Sequence, residues 1–189
     1  MKKHWYIISV SALLAVVAIV GTVFALMRKD TPKLENEFVP ANVSCEVYET
    51  LTHAGSPQYV EQHADVRIKN TGNVDAYLRI RFVSYWVKYN PETTSWEISA
   101  KSSVMPELHI ASGWVKSSTS DTYYYPTPVN PETFTPYINT APIVLQKDGD
   151  YVQVLEVFAE AIQSLPNSAV KGSWNVTLDT DGVTIISAN

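Results

Sequence analysis

Apolar and polar side chains alternate along much of the sequence after residue 42, and this two-residue period constrains the fold more than any other feature. Residues 43–48, 64–69 and 77–82 show it most clearly. Successive side chains of a β-strand point to opposite faces of its sheet, so each segment predicts a strand with one face on a core and one in water. Val, Ile, Thr, Tyr and Trp, which suit such half-buried surfaces, are frequent throughout.

Turn signals separate the predicted strands at short intervals. Residues 70–73 (NTGN) predict a turn, and the pairs Asp148-Gly149 and Asp181-Gly182 predict hairpins. The prolines between residues 126 and 136 predict a loop or an edge connection, because proline cannot donate to a ladder. Together these signals predict an all-β domain of roughly seven to nine strands in two packed antiparallel sheets, a β-sandwich of the jelly-roll or immunoglobulin-like kind.

The segment 151–163 (YVQVLEVFAEAIQ) fits two structures. Its Ala and Glu residues suit an amphipathic helix, but its first residues alternate and a hairpin signal precedes them. We favour a strand, with a β-bulge near Glu156 to explain why the apolar positions change parity there. Residues 164–173 then predict a loop or a short helical turn, and residues 174–178 and 183–186 predict a closing hairpin.

The N-terminus carries an apolar segment between basic residues. Lys2 and Lys3 precede a nearly uncharged run over residues 5–27. This pattern predicts an apolar helix that directs export, with cleavage between Ala25 and Leu26. A run of about 20 apolar residues is also long enough to remain as a membrane anchor, which is the alternative. Both interpretations place the rest of the chain outside the cell, as a secreted or cell-surface protein.

The sequence therefore divides into three parts. Residues 1–25 are the predicted signal peptide, residues 26–41 an extended leader without helical or strand periodicity, and residues 42–189 the β-domain. The whole chain has a formal net charge of −5. Removal of the two N-terminal lysines leaves 12 basic residues (14 − 2) against 19 acidic ones, hence −7. Such an acidic domain offers no broad attraction to nucleic acid.

Residue patterns that carry catalytic or metal chemistry are missing from the sequence. Cys45 is the only cysteine, so it forms no intrachain disulfide, and its position in an alternating strand suggests a buried apolar role. His53, His63 and His109 are isolated, and no metalloprotease, hydrolase or nucleotide-binding motif is present. A distributed metal site at His53 and His63, and a calcium loop at residues 179–182, are the weaker alternatives. We expect no enzyme, cofactor or metal.

Two groups of side chains are candidates for contacts with a partner. Arg79 and Arg81 share one strand face and could accept a carboxylate, although solubility alone explains charges there. Tyr123, Tyr124 and Tyr125 alternate between faces, so at least one should be exposed unless the strand lies between two layers. We favour packing in the core or at its rim, and an assembly interface is the alternative.

Several short motifs occur together in an order that points to a known family. They are GTVFA at 21–25, EFVPANV at 37–43, VRIKNTGNVDAYLRIR at 66–81, the tyrosines before the proline loop, and AEAIQ at 159–163 followed by Ala169 and Trp174. With these motifs the chain resembles the TasA/camelysin-like exported proteins of Gram-positive bacteria, which the dedicated SipW-type signal peptidase processes. It departs from the family in residues 26–29 (LMRK) and in residues 130–132 (NPE), where Pro-Gly-Glu is usual.

The resemblance implies a β-sandwich that serves as a secreted subunit of a biofilm-matrix or surface fibre. Its expected partners are a signal peptidase, further copies of itself and other matrix proteins. Freed from the membrane, the leader with Phe38 and Val39 could add as a strand to a neighbouring domain, and repeated addition builds filaments. The alternative is an extracellular binding or accessory module that residues 5–27 hold in the membrane. A metalloprotease activity is sometimes attached to such relatives, but the isolated histidines give it little support.

Overall fold

Strands dominate the part of the chain that the computed structural model describes, residues 40–54 and 60–189. The signal segment, the leader and the predicted residues Ala25, Leu26, Phe38 and Val39 lie outside these ranges. Within them, every ladder between named strands is antiparallel, which confirms the all-β prediction. The elements are β1 Cys45–Ala54, β2 Val60–Asn70, β3 Ala76–Asn90, β4 Ser95–Ile98, β5 Val115–Lys116, β6 Thr122–Tyr124, β7 Ile143–Val144, β8 Lys147–Asp148, β9 Tyr151–Gln163, α1 Asn167–Trp174, β10 Val176–Leu178 and β11 Ile185–Ala188.

The strands form two main sheets and a hairpin. One sheet has the order β1-β2-β7, and the other has the order β5-β6-β3-β9-β8 with β4 also paired to β3. The predicted closing hairpin is present as β10 and β11. The described ranges contain more strands than predicted because β5, β7 and β8 are two-residue ladders, too short to show a sequence period. They contain no helix that could cross a membrane.

Strand β9 confirms the favoured interpretation of residues 151–163, but the predicted bulge near Glu156 is wrong. The register with β3 runs without a shift from Lys88↔Tyr151 to Ala76↔Gln163. The apolar positions change parity because Gln153 occupies the core face and is 2% exposed. Its side-chain amide donates to Ser84 Oγ and to the Val104 carbonyl, and its Oε1 accepts from the Gln146 N–H. At this position the alternation rule expects an apolar residue, and the structure has instead a buried polar side chain whose hydrogen-bonding groups have partners.

Two hydrophobic clusters use opposite faces of β3. Its inward side chains Leu78, Ile80 and Phe82 join Val66 and Ile68 of β2 in the main core. The outward face is covered at one end by α1 and the β10–β11 hairpin, which form the second cluster. That cluster is centred on Tyr77, Tyr124, Val170, Trp174 and Ile185. The described residues from Pro40 to Asn189 belong to one compact unit.

Candidate assembly site at two open strand edges

The edge of β2 that faces away from β1 is sealed by the irregular segment after the prolines. Ile68 exchanges hydrogen bonds with Thr135, whose hydroxyl accepts from the Ile68 N–H at 3.0 Å and whose N–H donates to the Ile68 carbonyl. The Val66 N–H donates to Asn139 Oδ1 at 2.9 Å, and the Val66 carbonyl accepts from Ile138. The prediction of an edge connection in this proline-marked segment is therefore confirmed, and β2 has no free edge here.

The edge of the larger sheet at β5 is also covered. Ser117 forms a parallel bridge to Ala188 of β11, and the Ser118 N–H donates to the Ala188 carbonyl at 3.0 Å. The side of β3 away from β9 is taken up by β6 and β4. Among the described residues these contacts leave one long open edge on this sheet, at β9, besides the far sides of the four-residue β4 and the two-residue β8.

Two long edges have no backbone partner among the described residues. One is the side of β1 that faces away from β2, over the ten residues of that strand. The other is the side of β9 away from β3, where pairing with β8 and the Gln153-to-Gln146 bond stop before Val154. The two strands are neighbours, with Cα atoms within 8 Å, yet no ladder joins them. Open edges of this length are templates for another strand.

Apolar side chains along these edges are only partly buried. Cys45 and Val47 of β1, and Val157, Ala159 and Ala161 of β9, pack against the main core while remaining partly exposed. A strand laid along either edge would cover them further, and each apolar Å2 removed from water contributes about 25 cal/mol. The arrangement therefore offers an incoming strand both main-chain hydrogen bonds and apolar contact.

The Cys45 thiol lies at the start of the open β1 edge, and its environment changes its pKa. Its partial burial, with the negative charge of Glu160 as a second cause, raises the pKa of Cys45 to about 11. The thiol therefore stays protonated and weakly nucleophilic at neutral pH, which agrees with the structural role predicted for it. Because Cys45 lies on an open edge, its chemical accessibility should fall when a strand covers that edge.

The residues that lead into β1 are fixed to the domain's own turn at 70–73. The Asn42 N–H donates to Asn73 Oδ1 at 2.7 Å, the Asn73 N–H donates to the Asn42 carbonyl, and the Asn73 side chain donates to the Pro40 carbonyl. A Cβ at Gly72 would lie 2.4 Å from the Asn42 carbonyl oxygen, so only glycine permits this approach. The chain is thus anchored from Pro40 onward, slightly earlier than the predicted domain start at residue 42.

The tyrosine cluster lies inside the domain. Tyr123 faces the main core, where its ring meets Phe82 at 5.9 Å, and Tyr124 faces the second cluster, where its ring meets Trp174 at 5.7 Å. Both are at most 5% exposed. Tyr125 is half-buried against the main core. Core packing is confirmed for the first two because β6 lies between two layers, and neither offers an exposed contact for assembly.

The histidines do not assemble a metal centre in the described ranges. His63 is 3% exposed, with Nδ1 2.7 Å from a Glu49 oxygen and Nε2 3.7 Å from a Glu61 oxygen. His109 is exposed near Glu107, and the His53 side chain lies outside the description. Those ranges hold no group of three or more His, Cys, Asp or Glu side chains suited to a metal.

The calcium-like segment at 179–182 is a turn that its own side chains hold together. The Asp181 carboxylate accepts the Val183 N–H, the Thr184 N–H and the Thr184 hydroxyl. Gly182 supplies the positive φ of 69° that the turn requires.

The open edge of β9 and the anchoring of residues 40–44 are features that sequence reasoning missed. A strand edge has no composition signal of its own, since it depends on which strand pairs with which. The turn motif at 70–73 was the available signal for the anchor.

Comparison with known proteins found no matching family model, no matching curated protein and no matching solved structure.

Proposed function

We propose that this chain is a secreted or cell-surface structural protein, a fibre subunit of the biofilm-matrix kind that its motifs resemble. We also propose that the β1-β2-β7 sheet and the larger sheet are the two layers of a β-sandwich. The shared main core, which takes side chains from β2, β3 and β9, supports that arrangement. The proposed role needs neither catalysis nor a cofactor, and the acidic charge argues against nucleic acid as a partner.

The observation that carries the proposal is the pair of partly apolar edges at β1 and β9, which have no backbone partner within residues 40–54 and 60–189. In the proposed assembly the leader of one subunit, with Phe38 and Val39, adds as a strand to an edge of the next subunit. The outer sides of β2 and β5 are covered within the described residues, and the far sides of β4 and β8 are only four and two residues long, so β1 and β9 offer the long edges for an added strand. Because donor and acceptor are different surfaces, each addition leaves an open edge for the next leader, and a filament grows where the rotation between subunits does not close a ring.

The leader is long enough to reach and cover an edge. Residues 26–39 number 14 (39 − 26 + 1) and span up to about 46 Å when extended, at about 3.3 Å per residue. Each open edge is ten residues long, residues 45–54 in β1 and 154–163 in β9. The anchor at Pro40 fixes where the leader departs, which gives the assembly a defined geometry.

Removing the leader tests the proposal. The mature protein starting at Leu26 should form filaments visible by electron microscopy, and a protein starting at Pro40 should not. A matched control replaces residues 26–39 with Gly and Ser of equal length, which preserves reach but removes strand propensity and side-chain contacts. This control should also fail to assemble. Unchanged filaments from the shortened protein would overturn strand addition by the leader.

The alternative role is an extracellular binding or accessory module that residues 5–27 hold in the membrane. The intact mass of the exported protein separates the two. A chain beginning at Leu26, released by signal peptidase, supports the fibre subunit. A full-length chain extracted only with detergent supports the anchored module.

A further inference from the structure

A polar cleft lies on the outward face of the larger sheet, beside the end of α1. Its volume is about 420 Å3, and side chains of β3, β6, β9 and α1 reach it. Arg79 and Arg81 of β3 line its floor. These are the two arginines that the sequence marks as possible carboxylate receptors.

Arg79 is held in place by neighbouring side chains. Its guanidinium lies 4.7 Å from the centre of the Trp174 ring, donates to Tyr124 Oη at 3.2 Å and donates to Glu160 Oε2 at 2.7 Å. These bonds use one N–H on each terminal nitrogen, so a second N–H remains on each. Arg79 is therefore a fixed donor with capacity for another acceptor.

Arg81 lies two residues further along the same face and is exposed. Its side chain forms no hydrogen bond and no ion pair within residues 40–54 and 60–189. The Glu160 charge is already engaged by Arg79. Among the side chains that line the cleft, two arginines accompany one glutamate, so their formal charges sum to +1 in a protein whose overall charge is negative. A guanidinium fork matches the two oxygens of a carboxylate.

The remaining walls carry neutral hydrogen-bonding groups. Thr119, Ser120 and Thr122 contribute hydroxyls on one side, and Asn175 contributes an amide on the other. Hydroxyl and amide groups around a cationic floor match a ligand that carries several hydroxyls and one carboxylate. Ser120 Oγ donates to Thr122 Oγ1 at 3.0 Å and Thr119 Oγ1 lies 3.3 Å from Ser117 Oγ, so these hydroxyls already have partners and offer a ligand their remaining hydrogen-bonding capacity. A single acidic side chain of a protein would contact the arginines and use none of that capacity.

We propose that this cleft binds an acidic sugar unit of a polysaccharide, with its carboxylate on Arg81 and Arg79 and its ring hydroxyls on the Ser, Thr and Asn walls. A volume of 420 Å3 is within the range of small-ligand sites. The cleft lies on a sheet face and the open edges lie at its border, so the two sites use different surfaces, although Glu160 of β9 belongs to both.

Titration of the mature, unassembled protein with glucuronate, followed by amide NMR, tests the site. Glucuronate should shift resonances of residues 117–122 and 173–175, with weaker binding as salt concentration rises. Glucose, which has the hydroxyls without the carboxylate, should bind at least about tenfold more weakly. A short peptide containing glutamate, and inorganic phosphate, should both bind more weakly than glucuronate.

Two substitutions provide matched variants. Arg81→Gln keeps a polar side chain without the charge and should weaken glucuronate binding by about tenfold or more. Arg81→Lys keeps the charge but loses the guanidinium fork. The affinity of this variant for glucuronate should therefore lie between that of the unsubstituted protein and that of Arg81→Gln. Arg81 is exposed, so thermal unfolding should be unchanged in both variants. Equal affinity for glucuronate and glucose, unaffected binding in Arg81→Gln, or tighter binding of the peptide or of phosphate would each overturn the proposal.

Discussion

Removing the Asn70 side chain should lower the free energy of unfolding more than removing most other polar side chains. Asn70 is 0% exposed, and its amide makes three hydrogen bonds. Nδ2 donates to the carbonyls of Val74 and Val129 at 2.9 and 2.8 Å, and Oδ1 accepts from the Gly72 N–H at 2.9 Å. Asn70→Ala removes all three and leaves the Gly72 N–H and the Val74 carbonyl without the partners described, whereas the Val129 carbonyl keeps the Ala76 N–H at 3.1 Å.

The expected loss follows from those bonds. At about 1 kcal/mol each, the three hydrogen bonds predict a decrease of about 3 kcal/mol in the free energy of unfolding. That is a large part of the roughly 5–15 kcal/mol that stabilises a typical domain. For a domain of this size it corresponds to a fall of about 6–12 °C in melting temperature. Urea titration with a common m-value, supported by thermal unfolding, measures the change.

Asn70→Asp is the matched control because it has nearly the same shape. It keeps the acceptor for Gly72 but loses both donors and, when ionised, sets a carboxylate against two carbonyl oxygens. We expect it to be at least as destabilising as Asn70→Ala at neutral pH. The stability of Asn70→Asp should recover partly in acid, where the protonated carboxyl can donate one hydrogen bond. A loss below about 1 kcal/mol in both variants would refute the assigned role of this amide.

Four further outcomes follow from single positions. Gly72→Ala places a Cβ against a backbone oxygen and should cost about 1–3 kcal/mol by urea unfolding. Gly172→Ala has open space within α1 and should instead stabilise the protein by up to about 1 kcal/mol, so equal effects at the two glycines would contradict the packing described. Hydrogen bonds, chiefly from the Thr184 hydroxyl, hold the pKa of Asp181 below its usual range. Its stabilising contribution is therefore present at neutral pH and lost as the pH falls through that lowered pKa. Asp181→Asn should reduce the loss of stability that the protein shows as the pH falls through the acid range. An unchanged dependence of stability on pH would contradict this contribution of the Asp181 carboxylate. Alkylation of Cys45 in the unassembled protein should be slow at neutral pH and accelerate as the pH approaches 11, and fast reaction at pH 7 would contradict its burial.

Alternation predicted the strands well where each residue follows the rule of one face inside and one outside. Residues 64–69 and 77–82 lie within β2 and β3, and the Asp-Gly pairs at 148 and 181 lie at hairpin turns. The rule misled at Gln153, where a buried polar residue has its partners in other segments. No local pattern in β9 marks that substitution, because the groups that satisfy it are distant in sequence.

The candidate site could be predicted only in part. The leader and the turn at 70–73 are visible as sequence features, but their bonding through Asn42 and Asn73 requires the fold. Tyr123 and Tyr124 alternate between faces as expected, and their burial depends on a second layer that α1 and the last hairpin supply. Likewise, the open edge of β9 follows from strand order, which composition and periodicity do not encode.

Cross-linking to Cys45 tests most directly whether a neighbour's leader lies along the open edge. Single cysteines are placed in turn at residues 33–38, and assembled filaments are oxidised at alkaline pH, because the raised pKa of Cys45 keeps its thiol protonated at neutral pH. The products are then separated without reductant. A disulfide needs Cα atoms within about 7 Å, so in a fixed register we expect ladders of disulfide-linked subunits chiefly at the position that lies opposite Cys45 and little product at its immediate neighbours. No ladder at any of these positions, or equal cross-linking at all of them, would contradict strand addition at β1, one of the two proposed acceptor edges.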